Sequence, residues 1–128
     1  MTGSRTIVER HPALPPNIRR IRASVGTLLS EHNWADDEFH TRVMLALSEV
    51  VANVVRHAYA GTEPGDIEVT AVLAGDELRL AVRDFGTVRL PSANPGMGVG
   101  LRIAEQCADE VRVATVRGGT IVELLFRR

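Results

Sequence analysis

Residues 83–101 read RDFGTVRLPSANPGMGVGL, from Arg83 to Leu101. Asp84, Phe85 and Gly86 spell the triplet that holds the magnesium-binding aspartate in eukaryotic-type protein kinases. Those enzymes also need a glycine-rich loop, a strand lysine and an HRD catalytic loop ahead of the triplet. None of these precedes Asp84, and the chain has no lysine at all. That fold is excluded. There remains an aspartate closing a run of alternating apolar residues, and a Gly-x-Gly-x-Gly, Gly96 to Gly100, leading into a helical pattern. Glycines at such a place permit tight turns, and helix N-terminal amides receive anionic phosphates. No Gly-Lys-Ser/Thr follows, so this is not a P-loop. Counting a dinucleotide fingerprint from Gly96 puts Leu101 where the third glycine belongs, and a proline-containing loop precedes it.

Outward from this stretch the chain resolves into short elements. RTIVERHP (Arg5 to Pro12) reads as an edge strand stopped by proline. A helix entered through Pro15 and Pro16 carries Ile18, Ile21, Val25, Leu28 and Leu29 at helical spacing. The longest helix runs from Ala35 to Gly61, with Asp36, Asp37 and Glu38 at its positive end and Gly61 at its stop. Ile67, Val69, Ala71 and Leu73, then Leu78, Leu80 and Val82, alternate as two strands joined by the turn AGDE. Phe85 to Met97 reads as a loop, Val99 to Ala108 as a shorter helix, and EVRVATV and TIVELLF as two strands around Gly118-Gly119. The order β-α-α-β-β-α-β-β predicts an α+β two-layer sandwich: a mixed, mostly antiparallel sheet with helices on one face.

The 128 residues suit a single domain, 1–128. A net charge of −1 gives no electrostatic case for direct nucleic-acid or anionic-membrane binding. The one cysteine, Cys107, makes no internal disulfide and no cysteine metal site, and reads as a small thiol packed in a helix. No apolar run approaches membrane-spanning length and no secretory h-region opens the chain, so a cytoplasmic location is expected.

On the long helix, Val43, Leu47, Val50, Val54 and Ala58 form one apolar stripe, because four residues overshoot a full turn by only about 40°. Glu49, Asn53 and His57 share that spacing and border the stripe. They suit the polar edge of an amphipathic helix, and they also suit chemistry. An asparagine oxygen can hold magnesium while the ion keeps waters and phosphate oxygens. A carboxylate one turn away can orient a water or take a proton from an attacking hydroxyl. His57 either joins the site or packs at the helix end. Asp84 could accept the exocyclic N–H of adenine, which guanine does not offer at that position. Gly86 would let a flat base approach the backbone.

Glu49-x-x-x-Asn53-x-x-x-His57, then Asp84-x-Gly86, then Gly96-Met-Gly98-Val-Gly100-Leu101 occur here in that order. The set resembles the N, G1 and G2 boxes of the Bergerat-type (GHKL) ATP site of DNA gyrase, heat-shock chaperones, sensor histidine kinases and mismatch-repair ATPases. Over nearly the whole chain it looks most like bacterial anti-sigma-factor serine kinases. LSEVVANVVRHAY is close to their N box, and Gly119-Thr120 resembles their terminal strand motif.

The resemblance implies binding of ATP and magnesium, and phosphoryl transfer to a serine of a small anti-sigma-factor antagonist. It further implies a homodimer that sequesters a sigma factor in one state of a partner switch. Asn53 would hold magnesium and Glu49 would act as base or water-orienter. Asp84 would read adenine, Gly86 would pack on the base, and Thr120 would join the water network around it. Gly96, Gly98, Val99, Gly100 and Leu101 form the G2 segment, with Gly98 and Gly100 along the phosphates. Arg102 could touch phosphate or serve as an exposed structural arginine, and His57 completes the N box. Val88 stands where a second G1 glycine is common, and the lid between Gly86 and Gly96 is short, with Arg89 its one charged residue. The alternative is a weakly catalytic or inactive ATP-binding module acting by association. Glu49 favours the enzyme and the short lid favours the module. A sensor histidine kinase would need a dimerisation helix pair, and gyrase-like or chaperone-like ATPases would need transducing domains, none of which is expected here.

Overall fold

The computed structural model describes residues 4–34, 36–86 and 95–128, with 95–100 described by their backbone alone. Val88 and Arg89, on which the expectations about the lid rest, lie outside the described residues.

The elements follow the expected order: β1 (Arg5–Pro12), α1 (Pro16–Glu31), α2 (Asp37–Asn53), β2 (Asp66–Ala74), β3 (Glu77–Asp84), α3 (Pro95–Cys107), β4 (Glu110–Val116) and β5 (Gly119–Arg127). Local chemistry explains several boundaries. The Asp36 carboxylate accepts the Phe39 N–H at 3.0 Å, satisfying one of the otherwise orphaned amides that open α2. Asp37 and Glu38 add negative charge to the same turn. Proline occupies the first turn of α1, where its missing N–H costs nothing.

Two boundaries differ from the sequence expectation. The long helix does not continue as α-helix to its end: residues Val54–Ala58 form a turn of π-helix. The third helix starts at Pro95 rather than near Val99, so the glycine run is its opening turns and not a loop before it. Glycine disfavours a helix by about 1 kcal/mol relative to alanine, which is why propensity places the start later. Pro95 supplies the opposing preference, since its fixed φ suits the first helical position.

The five strands form one sheet in the order β1-β2-β3-β5-β4, and every pairing among the described residues is antiparallel. β3 leaves the sheet through α3, β4 lands on the far edge, and β5 returns to fill the gap. That crossover sets the end of β3 beside the start of β5, with Asp84 in register with Thr120. The inward rows of the three central strands are buried: Ile67, Val69, Ala71 and Leu73; Leu78, Leu80 and Val82; Val122, Leu124 and Phe126. Against them pack Ile21, Val25, Leu28 and Leu29 of α1 and the α2 stripe Val43, Leu47 and Val50, continued by Val54 and Ala58. Phe39 stands edge-on to Trp34 at 5.5 Å and to Phe126 at 6.3 Å, closing one end of this core. No helix among the described residues is long and apolar enough to cross a membrane.

Candidate functional site

The alternation of β3 carries one polar residue into the core row. Leu78, Leu80, Val82 and Asp84 all face the helices, and Asp84 is only 1 % exposed. Its carboxylate accepts the Gly86 amide at 3.0 Å and also the backbone amide of Thr120. Burial nevertheless prevails over these hydrogen bonds and over the Arg83 charge, and it raises the Asp84 pKa above the ordinary carboxylate value. A buried, destabilised carboxylate with capacity for another donor awaits an N–H.

Two close approaches hold this aspartate. A Cβ on Gly86 would run into the carbonyl oxygen of Ala58 and lie 2.9 Å from its carbon. Only glycine lets the end of the long helix meet the strand end here. A Cβ on Gly119 would likewise run into the Asp84 carbonyl, 2.8 Å from its carbon and 3.1 Å from Phe85 Cα. The glycine of the Gly119-Thr120 pair is therefore required by the backbone of β3, a reason that the sequence does not display.

Thr120 is 1 % exposed, and its hydroxyl has no hydrogen-bond partner among the described residues. Asn53, at the last α-helical position of α2, is 6 % exposed, and its amide nitrogen is likewise without a partner. Buried polar groups are nearly always satisfied, and each unpartnered one costs about 1–3 kcal/mol. A ligand that brings donors and acceptors relieves that cost. The Asn53 amide can present its nitrogen to a phosphate oxygen or, turned over, its oxygen to a metal.

Glu49, one turn before Asn53, is half-buried. Among the described residues no hydrogen bond reaches its carboxylate. His57 falls in the π-helical turn and is exposed. A π turn takes an extra residue, so the four-residue row of Glu49 and Asn53 no longer continues to His57. The structure joins Asp84, Gly86 and Thr120 directly and sets the helix end against them; it leaves His57 on the surface.

Arg42, near the start of α2, donates to the Cys107 carbonyl at the end of α3 at 3.2 Å, and the two helices pack along their length. They therefore run antiparallel. From Arg42 to Asn53 and from Cys107 back to Pro95 the rise is about the same, roughly 16–18 Å. The glycine-bearing start of α3 thus lies toward Asn53. Its first amides are orphans of the helix and suit an anion. Gly96, Gly98, Val99 and Gly100 sit in these opening turns, followed by half-buried Leu101 and exposed Arg102. Cys107 is a free, half-buried thiol.

One participant was not singled out from the sequence. The Tyr59 hydroxyl donates to the Asp66 carbonyl at 2.6 Å and accepts the Phe85 N–H at 2.8 Å. Its position at the helix end was visible; its partners on two strands were not. The described residues hold no group of three His, Cys, Asp or Glu able to bind a metal unaided. Magnesium at Asn53 would therefore be completed by water and phosphate oxygens, which is how this ion is usually held. A cavity of about 320 Å³ on the opposite face of the sheet, lined by Arg79, Arg112, Glu123 and Arg127 among others, contains none of these residues.

Known proteins resemble this chain in sequence and fold. An anti-sigma F factor of Anoxybacillus flavithermus is 29 % identical over 126 residues, covering 88 % of this chain and 86 % of the relative. The serine-protein kinase RsbW of Bacillus licheniformis is 27 % identical over 128 residues, covering 88 % and 79 %. The solved RsbU and RsbW domains of Rv1364c from Mycobacterium tuberculosis superpose with a TM-score of 0.77 and 31 % identity over 96 % of this chain, which spans 32 % of that longer protein. A blue-light activated histidine kinase domain of Erythrobacter litoralis, 20 % identical with a TM-score of 0.59, shares the fold. The model of the histidine kinase-like ATPase domain matches residues 11–126. The chain belongs to that family.

Proposed function

We propose that this chain is an ATP-dependent serine protein kinase and anti-sigma factor that phosphorylates a small antagonist domain. The observation that carries the proposal is the buried Asp84 beside the Thr120 hydroxyl, with the Asn53 amide nitrogen on the neighbouring helix, both without a partner among the described residues. These are groups that a purine base and a magnesium-bound phosphate chain would satisfy. Bound ATP with its magnesium supplies the transferable phosphoryl group. Asp84 accepts the adenine amine, Thr120 reaches the base directly or through water, and Asn53 holds magnesium. The opening amides of α3, freed of side chains at Gly96, Gly98 and Gly100, receive phosphate oxygens. Glu49 takes the proton of the attacking serine hydroxyl or orients it.

The relatives named as an anti-sigma F factor and a serine-protein kinase support a sigma factor and an antagonist as partners. A homodimer and a cytoplasmic location belong to the same reading. β1 is an edge strand, so its outer hydrogen-bonding side has no partner among the described residues and is available for pairing. Light scattering at high micromolar concentration is expected to give a dimer mass, and a monomer would remove that part of the reading.

A second reading, an ATP-binding module that acts by association alone, is favoured in the structure by Glu49, which has no hydrogen bond to orient it among the described residues. Labelled ATP and magnesium, incubated with the protein and a panel of cognate antagonist domains, separate the two. Transfer to a mapped serine supports the kinase. Sigma-factor binding without any transfer supports the module.

A further inference from the structure

Phe85 lies between Asp84 and Gly86, and three side chains hold it. Its N–H is bound by the Tyr59 hydroxyl at 2.8 Å. Its ring is contacted by two guanidinium groups, Arg10 of β1 at 4.3 Å and Arg83 of β3 at 4.7 Å from the ring centre. Arg10 is itself fixed by the Asp66 carboxylate at 3.0 Å, and Tyr59 donates to the carbonyl of that same Asp66. The first residue of β2 thus ties both holders together. The ring of Tyr59 is packed too: a Cβ on Gly65 would fall 2.6 Å from Tyr59 Cε1, and one on Gly86 would fall 3.4 Å from its Cδ1.

This amounts to more than packing. The Tyr59 hydroxyl is used on both sides, as donor and acceptor, and burial raises its pKa above that of a free tyrosine, so it remains an O–H at neutral pH. Asp84 is oriented chiefly by the Gly86 and Thr120 amides. The Gly86 amide is one residue from the amide that Tyr59 holds. A rotation of the Phe85 peptide would move the Gly86 donor and with it the carboxylate.

We infer that Tyr59 is a positioning residue of the base end of the site, with Arg10 as its outer partner: by fixing Phe85 they aim the Asp84 carboxylate and so set the preference for adenine over guanine. The inference rests on the reading of Asp84 as the acceptor of the adenine amine. One neutral hydrogen bond is at stake, so the expected changes are about 2- to 12-fold.

The test uses the whole chain and three variants. Tyr59→Phe keeps the ring and removes the hydroxyl, and Arg10→Gln removes one of the two guanidinium groups on the Phe85 ring. Thr62→Ala is a control that loses only the Thr62 hydroxyl's bonds to the Tyr59 and Glu63 carbonyls at the same helix end. Two quantities are read: hydrogen exchange of the Phe85 amide without nucleotide, and the ratio of GTP to ATP dissociation constants. Tyr59→Phe is expected to quicken the exchange and to lower the ratio, each by about 2- to 12-fold. Arg10→Gln should lower the ratio in the same direction, which keeps the test alive should Tyr59→Phe fail to fold. Thr62→Ala should match the parent ratio. Faster exchange at an unchanged ratio would make the hydroxyl merely structural and overturn the inference. An equal fall of the ratio in Thr62→Ala would overturn it as well. A parent without ATP preference would instead remove the Asp84 assignment, and this inference with it.

Discussion

Asp84 and Thr120 stand opposite each other at the meeting of β3 and β5, and the Thr120 amide donates to the Asp84 carboxylate. The pairing places an acid and an unpartnered hydroxyl together at the end of the sheet, under the helix layer.

The first prediction concerns pH. Burial raises the Asp84 pKa, so the folded state binds this proton more tightly than the unfolded chain does. The stability contributed by Asp84 is fully present below the unfolded value, about 3.9, and is lost as pH rises through the higher folded value. Denaturant unfolding of the nucleotide-free parent and of Asp84→Asn, compared from pH 4 to 8, should show the parent losing ground to the variant as pH rises. A difference that is flat or runs the other way would refute it.

Gly86→Ala and Gly119→Ala each force a Cβ against backbone carbonyls, of Ala58 and of Asp84 respectively. Backbone cannot swing aside as a side chain does. Each variant should lose about 1–3 kcal/mol, the usual cost of overpacking, measured as a lower denaturant midpoint. Parental midpoints for both would show that the strand end is loosely held.

Asn53→Ala and Glu49→Gln should part company. Asn53 is buried with an unpartnered amide nitrogen, so its removal should cost the free protein little while weakening magnesium-dependent ATP binding. Glu49→Gln should keep binding and slow single-turnover transfer by about 10²- to 10⁴-fold. Equal transfer rates for parent and Glu49→Gln would dismiss the base.

The elements were legible because their signals are local. Alternating Ile67, Val69, Ala71 and Leu73 could bury one face only as a strand, and the acidic run Asp36, Asp37 and Glu38 marked the positive end of α2. Strand neighbours were not legible: periodicity does not say that β5 enters between β3 and β4. The roles of Gly119 and Tyr59 depend on that crossing and on contacts across the fold, so composition and spacing could not reveal them. The π turn after Asn53 had no signal in the helical spacing, and it separates His57 from the row that spacing suggested. For the candidate site, residue types and order were readable, whereas burial, the property that turns Asp84 and Asn53 from polar residues into poised ones, required the structure.

The measurement closest to the central claim is calorimetric titration of ATP and GTP, with and without magnesium, into the parent and Asp84→Asn. The parent should bind ATP more tightly than GTP and depend on magnesium. Asp84→Asn should lose about 1–3 kcal/mol of ATP affinity and most of the preference. Equal affinity of the parent for ATP and GTP, or an undiminished preference in Asp84→Asn, would contradict the assignment of Asp84 as the residue that reads the base.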